Sequence, residues 1–311
     1  MASSAAARRV HAQVALWSYS PDSEHGADPG NVDADAAAQR PRLLLIHGFR
    51  GDHHGLQLIV DALPEYEVLV PDLPGFGATP PARSAAGRGA KHTVELYAGF
   101  VEGLAAHLGL GSGDVLLGHS FGTTITAAHA AQTQRRWAAL VLSAPISNEV
   151  FSGPMLPGAA AVELYYQVSR FLPERAGNVL LRSAAALAIT NLTMAVDKDP
   201  EVSVYVRDQH RRFFGGYTDR ATLLQAYRAS SRHTVADYAG DLDMPVLLLP
   251  GAKDQLSTPA GQRQLRNALP QGHLEIIRGA GHLLHYERPA QLGRAMRRFL
   301  RQLSSGAPAH P

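Results

Sequence analysis

Gly118-His119-Ser120-Phe121-Gly122 places one hydroxyl between glycines two positions to either side. Val115-Leu116-Leu117 before it reads as a buried strand, and Phe121–Trp137 after it as an apolar helix. A serine at so sharp a strand-to-helix turn sits in a strained backbone. Its flanks come so close that only glycine fits. The turn lifts the hydroxyl clear of its neighbours and sets it at a helix N-terminus, where backbone N–H groups favour negative charge. That is the setting for nucleophilic attack by Ser120. With 29 glycines and 19 serines in 311 residues, chance alone supplies about 0.2 matches to the pattern, so the strand and helix around it carry the weight.

A serine nucleophile needs a base and a group to orient the base. In a turn of this kind the chain order is serine, acid, histidine. Downstream, Asp254 closes Pro250-Gly251-Ala252-Lys253-Asp254 and His282 closes Gly279-Ala280-Gly281-His282. Both follow apolar strand-like runs, where parallel sheets collect their reactive groups. His285 is the competing base and Glu149 the fallback acid, whereas Asp241 and Asp243 precede a strand and fall at the wrong end of a sheet. The developing oxyanion needs two preorganised donors. The N–H of Phe121 is one, and Phe49, in His47-Gly48-Phe49-Arg50-Gly51, is the natural second.

The elements that must hold these groups recur along the chain. Short apolar runs at Leu43–Ile46, Glu67–Val70, Val115–Leu117, Leu140–Leu142, Val246–Leu249 and Leu274–Ile277 are typical of strands covered on both faces. Helical patterns at Thr93–Leu110, Phe121–Trp137, Pro259–Leu269 and Pro289–Leu303 separate or follow them. Thr258 is the expected N-cap of the third. The alternation predicts an α/β fold with a doubly wound, mostly parallel sheet. Val10–Tyr19 reads as an edge strand and Ser20–Pro41 as a loop. Between Pro145 and Pro245 the pattern turns helical, with segments at Ala159–Phe171, Asn178–Ala195, Val202–Phe214 and Thr222–Tyr238. This reads as a helical insertion after the strand ending near Ser143. It gives one core of residues 1–145 and 241–311 and an insertion of 146–240.

The chain resembles the α/β-hydrolase superfamily in its cap-bearing branch. The resemblance rests on His47-Gly48-Phe49, Pro71-Asp72-Leu73-Pro74-Gly75-Phe76-Gly77, Gly118–Gly122, Gly251–Asp254 and Gly279–His282, in family order across residues 42–303. It implies an α/β-hydrolase sheet with a helical lid and a Ser120–His282–Asp254 triad. Serine at the elbow argues against the aspartate-dependent dehalogenase and epoxide hydrolase branches, and Thr123 departs from the glycine many relatives carry there. The implied activity is hydrolysis of a small or medium carboxylic ester, thioester or lactone, as in carboxylesterases. One alternative is a C–C bond hydrolase or lyase acting on a ring-cleavage-type diketo acid, which a buried cap arginine facing Ser120 would favour. The other is a slow-turnover ligand sensor of the same fold.

Composition narrows the field further. Without cysteine there is no disulfide, no thiol nucleophile and no thiolate metal site. The chain is 45% apolar and 18% charged, as in ordinary globular proteins. A net charge of +2 does not by itself imply a nucleic-acid partner. No apolar run reaches membrane-spanning length, and Met1–Val14 lacks the apolar stretch of a secretory signal, so a cytoplasmic location is expected. Asp52-His53-His54 reads as a capped turn, so no metal or cofactor is expected. The expected partner is a small, largely apolar acyl or aromatic substrate. His119, Tyr165, Phe213 and Phe214 are the candidates for its pocket.

Overall fold

The computed structural model describes residues 8–9, 14–20, 41–83, 87–148 and 156–305. Its strands are β1 (Arg8–Arg9), β2 (Leu16–Tyr19), β3 (Arg42–Ile46), β4 (Glu67–Pro71), β5 (Val115–His119), β6 (Ala139–Ser143), β7 (Val246–Leu249) and β8 (Gly272–Leu274). They form one sheet in the order β1-β2-β4-β3-β5-β6-β7-β8. The pairs β1–β2 and β2–β4 are antiparallel and every other pair is parallel.

The period of two along each strand divides the core. Leu44, Ile46, Leu116, Leu140, Leu142, Val246 and Leu248 point to one face. There they meet α2 (Val94–His107) and α3 (Phe121–Gln132). Leu43, Leu45, Val115, Leu117, Val141, Leu247 and Leu249 point to the other, against α1 (Gln57–Asp61) and the C-terminal helix of Pro289–Ser305. Both faces are buried, which is why the strands are continuous apolar runs. Each buried leucine contributes roughly 1.5–3 kcal/mol relative to an exposed one.

Between β6 and β7 the described residues form α4 (Leu156–Phe171), α5 (Glu174–Leu181), α6 (Ala184–Met194), α7 (Pro200–Phe213) and α8 (Arg220–Arg232). The expected Asn178–Ala195 helix is two helices, because Ser183 leaves the helical backbone and caps Ala186 N–H. The expected Thr222–Tyr238 helix begins earlier, with Asp219 as its cap, and ends at Arg232 before two short 3-10 turns. After β7 come α9 (Pro259–Ala268), α10 (Leu284–Glu287) and α11 (Pro289–Ser305). Thr258 caps α9 as expected, accepting from Gly261 N–H at 3.0 Å.

Two strands differ from expectation. The first is Leu16–Tyr19, and it is not the edge, because Arg8–Arg9 pairs along its outer side. Part of the expected segment, Val10–Gln13, lies outside the described residues. The last strand is Gly272–Leu274 rather than Leu274–Ile277. It is an edge strand, and Ile276 is 43% exposed there. The ladder nonetheless continues, since Glu275 N–H donates to Leu248 O and Ile277 N–H to Pro250 O. Among the described residues no helix is long and apolar enough to cross a membrane.

Candidate active site

The carboxyl ends of β5, β7 and the β8 edge deliver three side chains to one point. Ser120 lies between β5 and α3 with φ 53° and ψ −122°. That left-handed conformation costs a non-glycine residue about 1–3 kcal/mol. The surroundings enforce it. A side chain at Gly118 would run into the Gly122 carbonyl, and one at Gly122 into the Ile46 carbonyl. Thr123, the residue that departs from the family pattern, donates its hydroxyl to Ser120 O at 2.6 Å.

Ser120 Oγ lies 2.8 Å from His282 Nε2. On the opposite edge of the imidazole, Nδ1 is 3.1 Å from both carboxylate oxygens of Asp254. The side chains of His282 and Asp254 are 6% and 1% exposed, so their contact is shielded from water. Asp254 Oδ1 also accepts from Leu256 N–H at 2.8 Å, which fixes the carboxylate. An imidazole held this way carries its proton on Nδ1 and leaves Nε2 free to accept from a hydroxyl.

The loop carrying Phe49 passes over Ser120. A methyl added at Gly48 would stand 3.0 Å from Ser120 Cβ and 3.4 Å from its Oγ. His47 sets this loop from below, accepting from Leu73 N–H on Nε2 at 2.9 Å, so that Nδ1–H meets Gly48 O at 2.8 Å. Burial lowers the His47 pKa and keeps the ring neutral in this role. Phe121 is the first residue of α3, where the helix itself makes no use of the N–H.

Asp72 is a buried hub for the same corner. Its Oδ1 accepts from His53 N–H and Nδ1, and its Oδ2 from Ala78 N–H. Burial raises its pKa, but the hydrogen bond and charge of His53, with the Ala78 N–H, outweigh that and lower it. Asp52 caps the turn at His53–Leu56 through His54 N–H, as the sequence suggests. Asp52, His53 and His54 bring possible ligand atoms within 4.8 Å of one another. Their groups are already engaged: His53 with Asp72, Asp52 with His54, and His54 stacked 3.7 Å from Phe213.

The remaining candidates occupy distinct places. His285 is not bonded to Ser120; its ring lies 3.9 Å from His119 and from Tyr286. Burial, then the charges of His119 and His282, hold its pKa well below normal. His119 packs behind the Ser120–His282 contact, 3.1 Å from Ser143 Oγ and with its ring 6.0 Å from His282. Tyr165 donates to Leu180 O, and Phe214 lies beneath the Arg50 guanidinium. Two insertion rings meet Phe49, those of Tyr166 and Tyr227, at 6.0 and 6.1 Å between centroids. Glu149 lies outside the described residues. Two polar residues in this region have no signal in the sequence: Arg50 and Glu287 are ordinary charges there, yet they are 4% and 3% exposed.

Residues 41–289 match the alpha/beta hydrolase fold family, and the chain belongs to it. Among curated proteins it is 26% identical over 273 residues to the biotin biosynthesis bifunctional protein BioHC of Cellvibrio japonicus (strain Ueda107), covering 86% of this chain and 49% of that protein. The chain thus spans about half the length of that relative. It is 23% identical over 253 residues to Lipase 3 of Moraxella sp. (strain TA144), covering 78% of this chain and 71% of the lipase. Among solved structures, a thermophilic esterase from Thermogutta terrifontis superposes with a TM-score of 0.68 at 23% identity, covering 96% of this chain and 98% of the esterase.

Proposed function

We propose that this chain is a serine hydrolase of small or medium carboxylic esters. The observation that carries the reading is the continuous contact from Ser120 Oγ through His282 to Asp254. The lipase and esterase names among its relatives support it.

In this reading Ser120 Oγ attacks the ester carbonyl carbon and its proton passes to His282 Nε2. Asp254 holds the resulting imidazolium. The N–H groups of Phe49 and Phe121 receive the charge on the carbonyl oxygen, each donor being worth about 2.7–4 kcal/mol in the transition state. The C–O bond breaks, and the departing alcohol takes the proton from His282. A water then gives a proton to His282 and its oxygen to the acyl carbon, releasing the acid and restoring Ser120. The helical insertion acts as the cap. Tyr166 and Tyr227, against Phe49, form part of the wall that excludes water and sets substrate shape.

A labelled fluorophosphonate tests whether Ser120 is activated, and an acyl-chain-length series of esters maps the pocket. Labelling with ester turnover, both lost in Ser120→Ala, is the expected result. Turnover of vinylogous diketo acids without esters would move the assignment to C–C hydrolysis. Tight ligand binding without a burst would move it to a sensor.

A further inference from the structure

The Glu287 carboxylate is buried and is held by three backbone N–H groups. Oε2 accepts from Gly281 N–H at 2.7 Å, immediately before His282. Oε1 accepts from Val196 N–H at 2.6 Å and Asp197 N–H at 2.9 Å. Val196 and Asp197 belong to the connector between α6 and α7. Two of the three donors therefore come from the insertion and the third from the loop that carries His282.

Two further contacts join the same pieces. A methyl added at Gly281 would lie 2.5 Å from Val196 Cγ2, so the connector rests directly on the histidine loop. Arg288 pairs with Asp197, and its guanidinium covers Gly279. Charge-assisted bonds to a buried carboxylate are among the stronger protein hydrogen bonds, and an ionised carboxylate stripped of its donors in the interior is costly. If the connector departs, Oε1 loses both donors and the carboxylate is left with the Gly281 N–H alone.

We propose that Glu287 is a positioning residue that makes the alignment of His282 depend on the docked insertion. The general base is then set against Ser120 and Asp254 only while the α6–α7 connector is in place. This rests on the hydrolase reading for its kinetic consequence, though not for its structural one.

The test uses the full chain and its Glu287→Gln, Glu287→Asp and Val196→Ala variants. Readouts are kcat and KM on an ester, the melting temperature, and the far-downfield proton resonance of His282 Nδ1–H. That resonance reports the His282–Asp254 bond whether or not any ester is turned over, so it separates failure of this proposal from failure of the hydrolase reading. A glutamine cannot accept from all three N–H groups, and its amide meets one of them donor to donor. Displacement of a reacting group by about 1 Å costs about 100-fold. Glu287→Gln is therefore expected to lower kcat toward that extent with KM little changed, and to broaden the resonance. Glu287→Asp restores part of both. Val196→Ala, which trims the connector where it rests on Gly281 and keeps its N–H, lowers kcat and broadens the resonance in the same sense but less. A Glu287→Gln protein with unchanged kcat and resonance overturns the proposal. So does a Val196→Ala protein silent in both, which would show that the connector does not bear on the alignment of His282. Should Glu287→Gln not fold, Val196→Ala decides alone.

Discussion

Arg50 lays its guanidinium 4.3 Å above the ring of Phe214. The side chain is 4% exposed. Its Nη2 donates to Leu181 O at 2.7 Å and its Nε to Phe214 O at 3.2 Å. Those carbonyls close α5 and α7. Helix C-termini carry partial negative charge, so two helix ends and a π face balance the cation. Arg50 follows Phe49 directly, so one residue pins the proposed oxyanion loop to two helices of the insertion.

Arg50→Met is expected to destabilise the chain by about 2–6 kcal/mol, because each of the two buried carbonyls left without a donor costs about 1–3 kcal/mol. Arg50→Lys is expected to recover little, since one ammonium cannot span both carbonyls and stack on the ring. Urea unfolding checks the first figure. Hydrogen exchange over residues 174–214 should show faster opening there than in β5 and β6, and uniform exchange would count against the pinning.

Ser120→Ala is expected to lower ester turnover by about four to six orders of magnitude while leaving the fold in place. Ser120→Gly should be equally inactive yet more stable than Ser120→Ala by about 1 kcal/mol, because glycine adopts φ 53° and ψ −122° without strain. Thermal melts of the two inactive proteins make the comparison free of catalysis. Equal stability would show that the turn is not strained.

Acid should weaken the fold through its buried histidines. Burial lowers the pKa of His129 from 6.5 to about 4, and that of His210 likewise, with Arg50 adding to the effect on His210. His129 accepts from Trp137 Nε1–H at 3.1 Å in its neutral form. Between pH 6.5 and 4 the unfolded chain binds protons that the folded chain refuses, so stability is full above the first value and falls toward the second. Asp72, whose pKa is lowered from 3.8, adds its own loss only as pH falls below that value. Urea midpoints from pH 8 to 4 should therefore decline through the histidine range. A flat profile down to pH 5 would contradict this.

Gly122→Ala is expected to cost about 3 kcal/mol or more, as overpacking against fixed backbone does. The new methyl has the carbonyls of Ile46 and His47 in front of it, and β3, paired with β4 and β5, cannot retreat within the sheet. Gly99→Ala, an open site in α2, serves as the control and should be neutral or slightly stabilising. Expression level and melting temperature decide the matter.

The sheet was readable because strands buried on both faces leave unbroken apolar runs, and Leu43–Ile46 or Val246–Leu249 could hardly belong elsewhere. The three polar residues that meet at Ser120 were readable because the turn imposes glycines and the topology fixes which strand ends converge. The edges were harder. Among the described residues Gly272–Leu274 has a neighbouring strand on one side only, so its composition is under weaker constraint. Least readable were Arg50 and Glu287. Their partners are mainly backbone carbonyls and N–H groups of distant segments, and such groups exist at every position whatever the side chain. Tyr165 and Phe214 were plausible as pocket residues by type, but which insertion ring faces Phe49 depends on helix rotation, which spacing alone does not set.

The helical insertion also separates β6 from β7, its parallel neighbour, by roughly 100 residues of chain. At about 5–20 residues per second, a ribosome takes about 5–20 s to cross that distance. Throughout it, Ala139–Ser143 lacks the strand that will pair along one side. An unpaired apolar strand edge is a template for association with other chains. The insertion thus lengthens the interval in which a nascent chain exposes that edge. Variants that shorten it should be judged by soluble yield as well as by activity.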